Sequence, residues 1–160
     1  HTMIFGVKRM YINDEEIGEL GFNAYVAGHY GVPVIMVAGD DGAAKEAEEL
    51  IPGVVSAAVK ETASRSAALS LTPAKSAELL REKTKEAIGK LKTIEPLLPP
   101  KQPLLKIEFT NYGEAEWASL MPGTELIEGT TIVQFKAKDI LEAYKAMIVM
   151  TELAMKTTFC

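Results

Sequence analysis

The spacing of apolar residues changes sharply between positions 17 and 41, and this stretch dominates the hydrophobic pattern of the chain. Its first half repeats at helical spacing, and Gly31 followed by Pro33 ends the predicted helix. Positions 32–38 are apolar without interruption, which is typical of a strand buried on both faces of a parallel sheet. A polar turn at 39–42 then leads into a second predicted helix from Ala43. We therefore predict a helix–strand–helix unit of an α/β sheet.

The remaining chain is predicted to alternate short strands and helices. We expect strands at 3–7, 54–59 and 104–109, and hairpins around Asn13-Asp14 and Glu128-Gly129. Helices are expected at 43–50, 73–91, 115–120 and 138–156, and Thr72 is the predicted N-cap of the helix at 73–91. Residues 62–71 favour neither state. The predicted fold class is α/β, a three-layer α/β/α core with a mixed sheet, an antiparallel β addition and a long C-terminal helix.

Proline is concentrated between positions 96 and 103, which predicts a rigid connector. We therefore expect residues 1–95 to form part of the α/β core and residues 104–160 to form an α+β subdomain.

Composition narrows the classes of partner. The formal net charge of -5 argues against nucleic acid, since duplex binding needs clustered Lys and Arg. No apolar run is long enough to span a bilayer, so we expect no membrane partner. The single cysteine, Cys160, excludes an internal disulfide and fits a reducing compartment. The expected location is the cytoplasm.

Few side chains are candidates for chemistry, because the sequence lacks a Gly-x-Ser-x-Gly elbow, a Walker loop and a Cys-x-x-Cys pair. His1 is either a general base, a ligand or an end residue without a role. Glu19 is either a metal ligand or a helix-start carboxylate favoured by the dipole. Asp40 and Asp41 follow the predicted strand, where α/β enzymes place functional groups, yet they are equally good turn and N-cap residues.

Two further groups have simpler structural interpretations. His29 lies near the end of its predicted helix, where the dipole favours an imidazole, so capping is preferred to catalysis. The run Ser64-Arg65-Ser66 could bind an anionic substrate group, although an exposed arginine is the simpler interpretation.

Several segments taken together resemble one known family. They include Gly18-Glu19-Leu20-Gly21-Phe22-Asn23-Ala24 and Asn111-Tyr112-Gly113-Glu114, with further similar residues at 1–7, 37–41, 120–124 and 142–155. The chain resembles the downstream portion of the D-aminopeptidase DppA family of dinuclear zinc peptidases, and the resemblance covers essentially its whole length. It implies release of N-terminal D-amino acids, of the D-Ala type, from short peptides by ring-shaped homo-oligomers.

The same resemblance assigns roles to two residues. Glu19 matches a glutamate that ligates zinc, and His1 matches a histidine proposed to act in catalysis; the complete family site holds two zinc ions. The other ligands of that family lie upstream of the segment that resembles this chain. We therefore expect the upstream half of the same protein as a partner, because one glutamate does not make a zinc site.

Two other functions stay open. The chain could be a non-catalytic, oligomer-forming fragment of a larger assembly, with its last helix and proline-rich connector supplying contacts. It could also be a small-molecule binding domain that uses Asp40 and Asp41 with magnesium and a phosphorylated ligand. Dependence on zinc and on an upstream polypeptide distinguishes the peptidase from both.

Overall fold

The computed structural model describes residues 2–64 and 66–157, and within them the chain forms eight strands and five helices. The strands are β1 (Val7–Ile12), β2 (Glu15–Glu16), β3 (Met36–Asp40), β4 (Val55–Ser64), β5 (Ala67–Ser70), β6 (Leu104–Phe109), β7 (Thr124–Leu126) and β8 (Ile132–Lys136). The helices are α1 (Glu19–His29), α2 (Asp41–Leu50), α3 (Pro73–Gly89), α4 (Tyr112–Ala118) and α5 (Ile140–Ala154). The fold is mixed α/β, as the sequence predicts.

The chain separates into two compact units. Unit 1 contains the residues up to Val26 together with those from Pro99 onwards, and unit 2 contains Ala27–Leu98. The division at the proline-rich connector, into 1–95 and 104–160, stays a prediction about domains. None of the described helices is long and apolar enough to cross a membrane.

Unit 1 is built on an antiparallel sheet with the strand order β2-β1-β6-β8-β7. The β1–β2 hairpin turns at Asn13 and Asp14, whose φ angles of 51° and 70° suit the mirror-image turn that matches strand twist. Helices α4 and α5 pack against each other and on the sheet. Alternation along β6 buries Leu105, Ile107 and Phe109 while the residues between them stay half-buried, as expected for a sheet covered on one face.

Unit 2 contains a three-stranded sheet with the order β3-β4-β5. Strands β3 and β4 are parallel and are joined through α2, which makes a βαβ unit, whereas β5 returns antiparallel to β4. Helices α2 and α3 both pack on this sheet. Ala47, Val55, Ala57 and Ala87 are buried there, and their small side chains allow helices to approach strands closely.

Three predicted strand boundaries are wrong. The strand expected at 3–7 begins only at Val7, because its hydrogen bonds come from pairing with β6 rather than from local apolar character. The strand expected at 32–38 runs from Met36 to Asp40, since Pro33 precedes it and has no N–H for a ladder. The strand expected at 54–59 continues to Ser64, because β5 pairs with its second half.

The apolar run around β3 is also less buried than expected. Four of the five β3 residues are half-buried and Ala38 is exposed, and among the described residues β3 pairs with β4 alone. Its predicted burial on both faces of a sheet is therefore not seen in this part of the chain.

Candidate functional site

Glu19 is the first residue of α1 and is half-buried. The unpaired N–H groups of a helix's first turn favour a carboxylate at this position, which explains its placement without any metal. The first turns of α1 pack into the core of unit 1 through Phe22. This side chain is fully buried, and its ring contacts that of Tyr144 edge-on with the ring centroids 5.5 Å apart. Glu19 is therefore fixed by a well-packed helix, which is what a ligating side chain requires.

The chain contains two histidines, His1 and His29. His1, the predicted catalytic residue, lies outside the described residues, so its role stays a prediction. His29 is exposed in the last turn of α1 and contacts the ring of Tyr30 edge-on, with centroids 5.1 Å apart. This position lies at the negative end of the helix dipole, and the capping role of His29 stays a prediction.

Asp40 and Asp41 have structural duties at the start of α2. Asp40 is the N-cap, and its Oδ1 accepts the N–H of Ala43 at 2.8 Å, so the helix begins two residues before Ala43. Asp41 Oδ1 accepts the N–H of Thr62 on β4 at 2.9 Å. That backbone hydrogen bond, together with one from the Thr62 side chain, holds the pKa of Asp41 below its ordinary value of 3.8. Asp40 therefore caps α2, and Asp41 ties the start of α2 to β4.

The candidate anion-binding run lies at the end of the β4–β5 hairpin. Ser64 is exposed, and its hydroxyl accepts the N–H of Ser66 at 3.4 Å. Arg65 lies outside the described residues, so the structure does not test whether these three residues bind an anion.

Sequence reasoning did not single out Glu114 as an individual residue. Asn111 caps α4 through Oδ1, which accepts the N–H of Glu114 at 2.9 Å. Glu114 Oε2 in turn accepts the N–H and the hydroxyl of Thr110, at 3.1 and 2.7 Å. The arrangement resembles a capping box, except that the Glu114 carboxylate reaches back to Thr110, the residue before the N-cap, and its signal was an Asn followed three residues later by Glu. A Cβ at Gly6 would lie 2.7 Å from Glu114 Oε1, so the carboxylate fits over the glycine.

The described residues do not by themselves make a zinc site. Among residues 2–64 and 66–157 no group of three or more His, Cys, Asp or Glu side chains is placed to hold a metal ion. Zinc in proteins takes at least three side-chain ligands, and Glu19 offers one carboxylate. Any metal at Glu19 therefore needs ligands from outside this part of the chain.

The protein is of the α/β class, and carboxylates lie at the starts of two of its helices. Glu19 begins α1, and Asp40 and Asp41 lie at the start of α2. The sequence family described as D-aminopeptidase matches residues 1–149, and the chain belongs to that family.

Two relatives from Bacillus subtilis are informative. The D-aminopeptidase of strain 168 is 67% identical over 160 residues, which is 100% of this chain and 58% of the relative. A solved structure of a Zn-dependent D-aminopeptidase, DppA, described as a self-compartmentalizing protease, superimposes with a TM-score of 0.97 at 67% identity, again over 100% of this chain and 58% of that one. The chain thus spans less than two thirds of the relatives it matches.

Proposed function

We propose that this chain is part of a zinc-dependent D-aminopeptidase that releases N-terminal D-amino acids, of the D-Ala type, from short peptides. The observation that carries this proposal is 67% identity across all 160 residues to a protein described as a Zn-dependent D-aminopeptidase. Family membership over residues 1–149 supports the same reaction class. A reducing, cytoplasmic location remains part of the proposal, on the evidence of the single cysteine.

Within that proposal Glu19 contributes one carboxylate to a zinc site, and His1 acts in catalysis. The support for Glu19 is its position at the start of α1, on a helix whose next turn is buried through Phe22. Bound zinc supplies Lewis acidity and an activated water. The further ligands come from the part of the longer protein that the chain does not span.

The proposed partner is the upstream half of the same protein. Relatives extend well beyond the length matched here, since the chain covers 58% of each. Strand β3 supports this partner, because its apolar side chains are half-buried or exposed and, among the described residues, it is hydrogen-bonded to β4 alone. A parallel strand placed beside β3 would complete the central, buried position that its apolar sequence favours.

We also propose that the complete protein is a ring-shaped homo-oligomer. The support is the description of the solved relative as a self-compartmentalizing protease. We infer from that term an enclosed space that holds the active sites. A substrate that reaches such a space would be short, in agreement with short peptides as the substrate class.

The decisive experiment combines this chain with the upstream half of the protein, as one polypeptide or as two. Zinc content and hydrolysis of D-Ala-D-Ala and L-Ala-L-Ala are measured on the wild type, on Glu19→Gln and on Glu16→Gln. We expect zinc binding and D-selective hydrolysis in the wild type, loss of both in Glu19→Gln, and no change in Glu16→Gln, whose carboxylate is exposed on β2.

Two outcomes would count against the proposal. Unchanged zinc content and activity in Glu19→Gln would remove Glu19 from the site. A stable assembly of both halves that neither binds zinc nor hydrolyses either dipeptide would favour the alternative function, a structural and oligomer-forming part of a larger protein.

A further inference from the structure

The turn formed by residues 2–6 leads into β1 and is closed by its own hydrogen bonds. The hydroxyl of Thr2 donates to the carbonyl oxygen of Val7 at 3.2 Å and to that of Ile4 at 3.4 Å. The N–H of Val7 donates to the carbonyl oxygen of Ile4 at 3.2 Å. Thr2 and Ile4 are half-buried, and Gly6 is buried. The turn therefore has a defined conformation although it belongs to neither a strand nor a helix.

The junction between β6 and α4 holds this turn in place. The N–H of Thr110 donates to the carbonyl oxygen of Gly6 at 2.8 Å and to Oε2 of Glu114 at 3.1 Å. The hydroxyl of Thr110 donates to the same Oε2 at 2.7 Å. Thr110 is thus bonded both to the turn and to the carboxylate. These three residues, Gly6, Thr110 and Glu114, form a turn clamp.

The carboxylate of Glu114 lies over Gly6 and leaves no room for a side chain there. A Cβ at Gly6 would lie 2.7 Å from Oε1 and 2.9 Å from Cδ of Glu114. Carbon and oxygen atoms normally stay about 3.3–3.6 Å apart, so either the carboxylate would have to leave Thr110 or the turn would have to move. Glycine at position 6 and glutamate at position 114 therefore depend on each other.

The turn clamp lies next to a residue with a proposed chemical role. His1 directly precedes Thr2 in the sequence, and consecutive Cα atoms are about 3.8 Å apart. The position of Thr2 in unit 1 therefore restricts where the side chain of His1 can reach. A catalytic group has to be held within about 0.5 Å of its productive position, and a displacement of about 1 Å can cost roughly a hundredfold in rate.

We propose that Glu114 is a positioning residue for His1. Through the turn clamp its carboxylate fixes residues 2–6, and with them the backbone to which His1 is attached. This inference rests on the proposed function, in which His1 acts in catalysis, and it adds a residue that acts through another one.

The test uses the chain together with its upstream half and compares carboxylates at the starts of two helices. Glu142 is related to α5 as Glu114 is to α4. It is half-buried, its N–H donates to the N-cap Asp139 at 2.8 Å, and its Oε2 accepts the N–H of Lys138 at 2.6 Å. Glu114→Ala and Glu142→Ala therefore remove the same kind of contact, but of the two only Glu114 belongs to the turn clamp. Zinc content, kcat and KM for D-Ala-D-Ala, and hydrogen exchange of residues 2–7 are measured on each.

We expect Glu114→Ala to lower kcat by about 10- to 100-fold with KM and zinc content unchanged, because only the placement of a reacting group is lost. Hydrogen exchange of residues 2–7 should be faster in the same variant. Glu142→Ala should leave kcat, KM and this exchange unchanged. Glu114→Gln should stay close to the wild type, because its amide oxygen still accepts hydrogen bonds from Thr110.

A second substitution tests the fit between the carboxylate and the glycine. The φ angle of Gly6 lies outside the left-handed region, so alanine brings no backbone strain and adds only a Cβ. Gly6→Ala alone should release the turn clamp and reproduce the loss of kcat. In Glu114→Ala the carboxylate is absent, so adding Gly6→Ala should cause no further loss, since substitutions that remove one shared contact are not additive.

The role of Glu114 can be rejected separately from the proposed function. Equal kcat values for Glu114→Ala and Glu142→Ala, or unchanged exchange of residues 2–7 in Glu114→Ala, would overturn it. A higher KM with unchanged kcat would also overturn it, by assigning Glu114 to substrate binding. A wild type that neither binds zinc nor hydrolyses D-Ala-D-Ala would reject the proposed function, and hydrogen exchange would still decide whether Glu114 holds residues 2–6 in place.

Discussion

Replacing Gly28 by alanine is the sharpest test of packing in unit 2. Gly28 is buried in the last turns of α1, and a Cβ built on it would lie 1.9 Å from the carbonyl oxygen of Leu97. A carbon and a carbonyl oxygen normally stay about 3.3–3.6 Å apart, so α1 and the 97–98 segment would have to separate by about 1.5 Å. The contact is with backbone, and Leu97 is followed closely by Pro99 and Pro100, so little local adjustment is available.

We expect Gly28→Ala to lower the free energy of unfolding by about 1–3 kcal/mol, the usual range for overpacking a well-packed site. The higher helix propensity of alanine offsets up to about 1 kcal/mol of that loss. With a urea dependence of about 1–3 kcal/mol/M, the midpoint should fall by roughly 1 M. The assay is urea unfolding followed by circular dichroism, which reports the helices, and by Trp117 fluorescence, which reports unit 1.

Gly89→Ala is the matched control. Gly89 ends α3, and a Cβ there would meet nothing within 4 Å, so the same substitution should be neutral or stabilising. A Gly28→Ala midpoint equal to or above that of Gly89→Ala would refute the reasoning, because it would mean that α1 and the 97–98 segment separate at no cost.

Three further predictions follow from single contacts. Asp40→Ala removes the N-cap of α2 and should destabilise unit 2 by about 0.5–2 kcal/mol in urea unfolding, with Asp40→Asn close to wild type. Because the Thr62 hydrogen bonds lower the pKa of Asp41, the stability contributed by its carboxylate is present above the unfolded pKa of 3.8 and is lost as pH falls through the lower folded pKa. The protection of the Thr62 amide from hydrogen exchange, relative to an unstructured amide at the same pH, should fall there, and it should not respond to pH in this way in Asp41→Asn. Leu105→Ala, at a fully buried position of β6, should cost about 2–5 kcal/mol of unfolding free energy, and a value below that of an exposed-site substitution would contradict the assigned core.

Elements with strong local signals could be predicted from the sequence. The N-cap Thr72 with Pro73 places the start of α3 correctly, and Gly31, at a φ of 70°, ends the helix that precedes it. The strand at 104–109 is confirmed to the residue, because its alternation of apolar and polar residues is followed directly by the turn signal at Asn111. In these places propensity, periodicity and capping agree, so no distant partner is needed to decide the structure.

The strand errors share one cause, which is that strand residues depend on pairing as well as on their own side chains. Ala67–Ser70 has little β-propensity and forms β5 because it pairs with β4, and β4 is extended to Ser64 for the same reason. The candidate site could be predicted only in part: the position of Glu19 at a helix start follows from the sequence, but its role depends on ligands that the described chain does not supply.

The three-stranded sheet of unit 2 has two edges of opposite character, and this difference indicates which edge the upstream half completes. Strand β3 is parallel to β4 and begins within a continuously apolar stretch at 32–38. Parallel strands are joined through crossover connections within one polypeptide, so its outer edge suits a strand from the same protein. Strand β5 is antiparallel to β4 and all four of its residues are exposed; antiparallel strands tolerate water better than parallel strands, so this edge does not require a further strand. Supplying the upstream half should therefore protect β3 amides from exchange at any protein concentration. Protection of β5 amides in place of β3 amides would contradict this assignment.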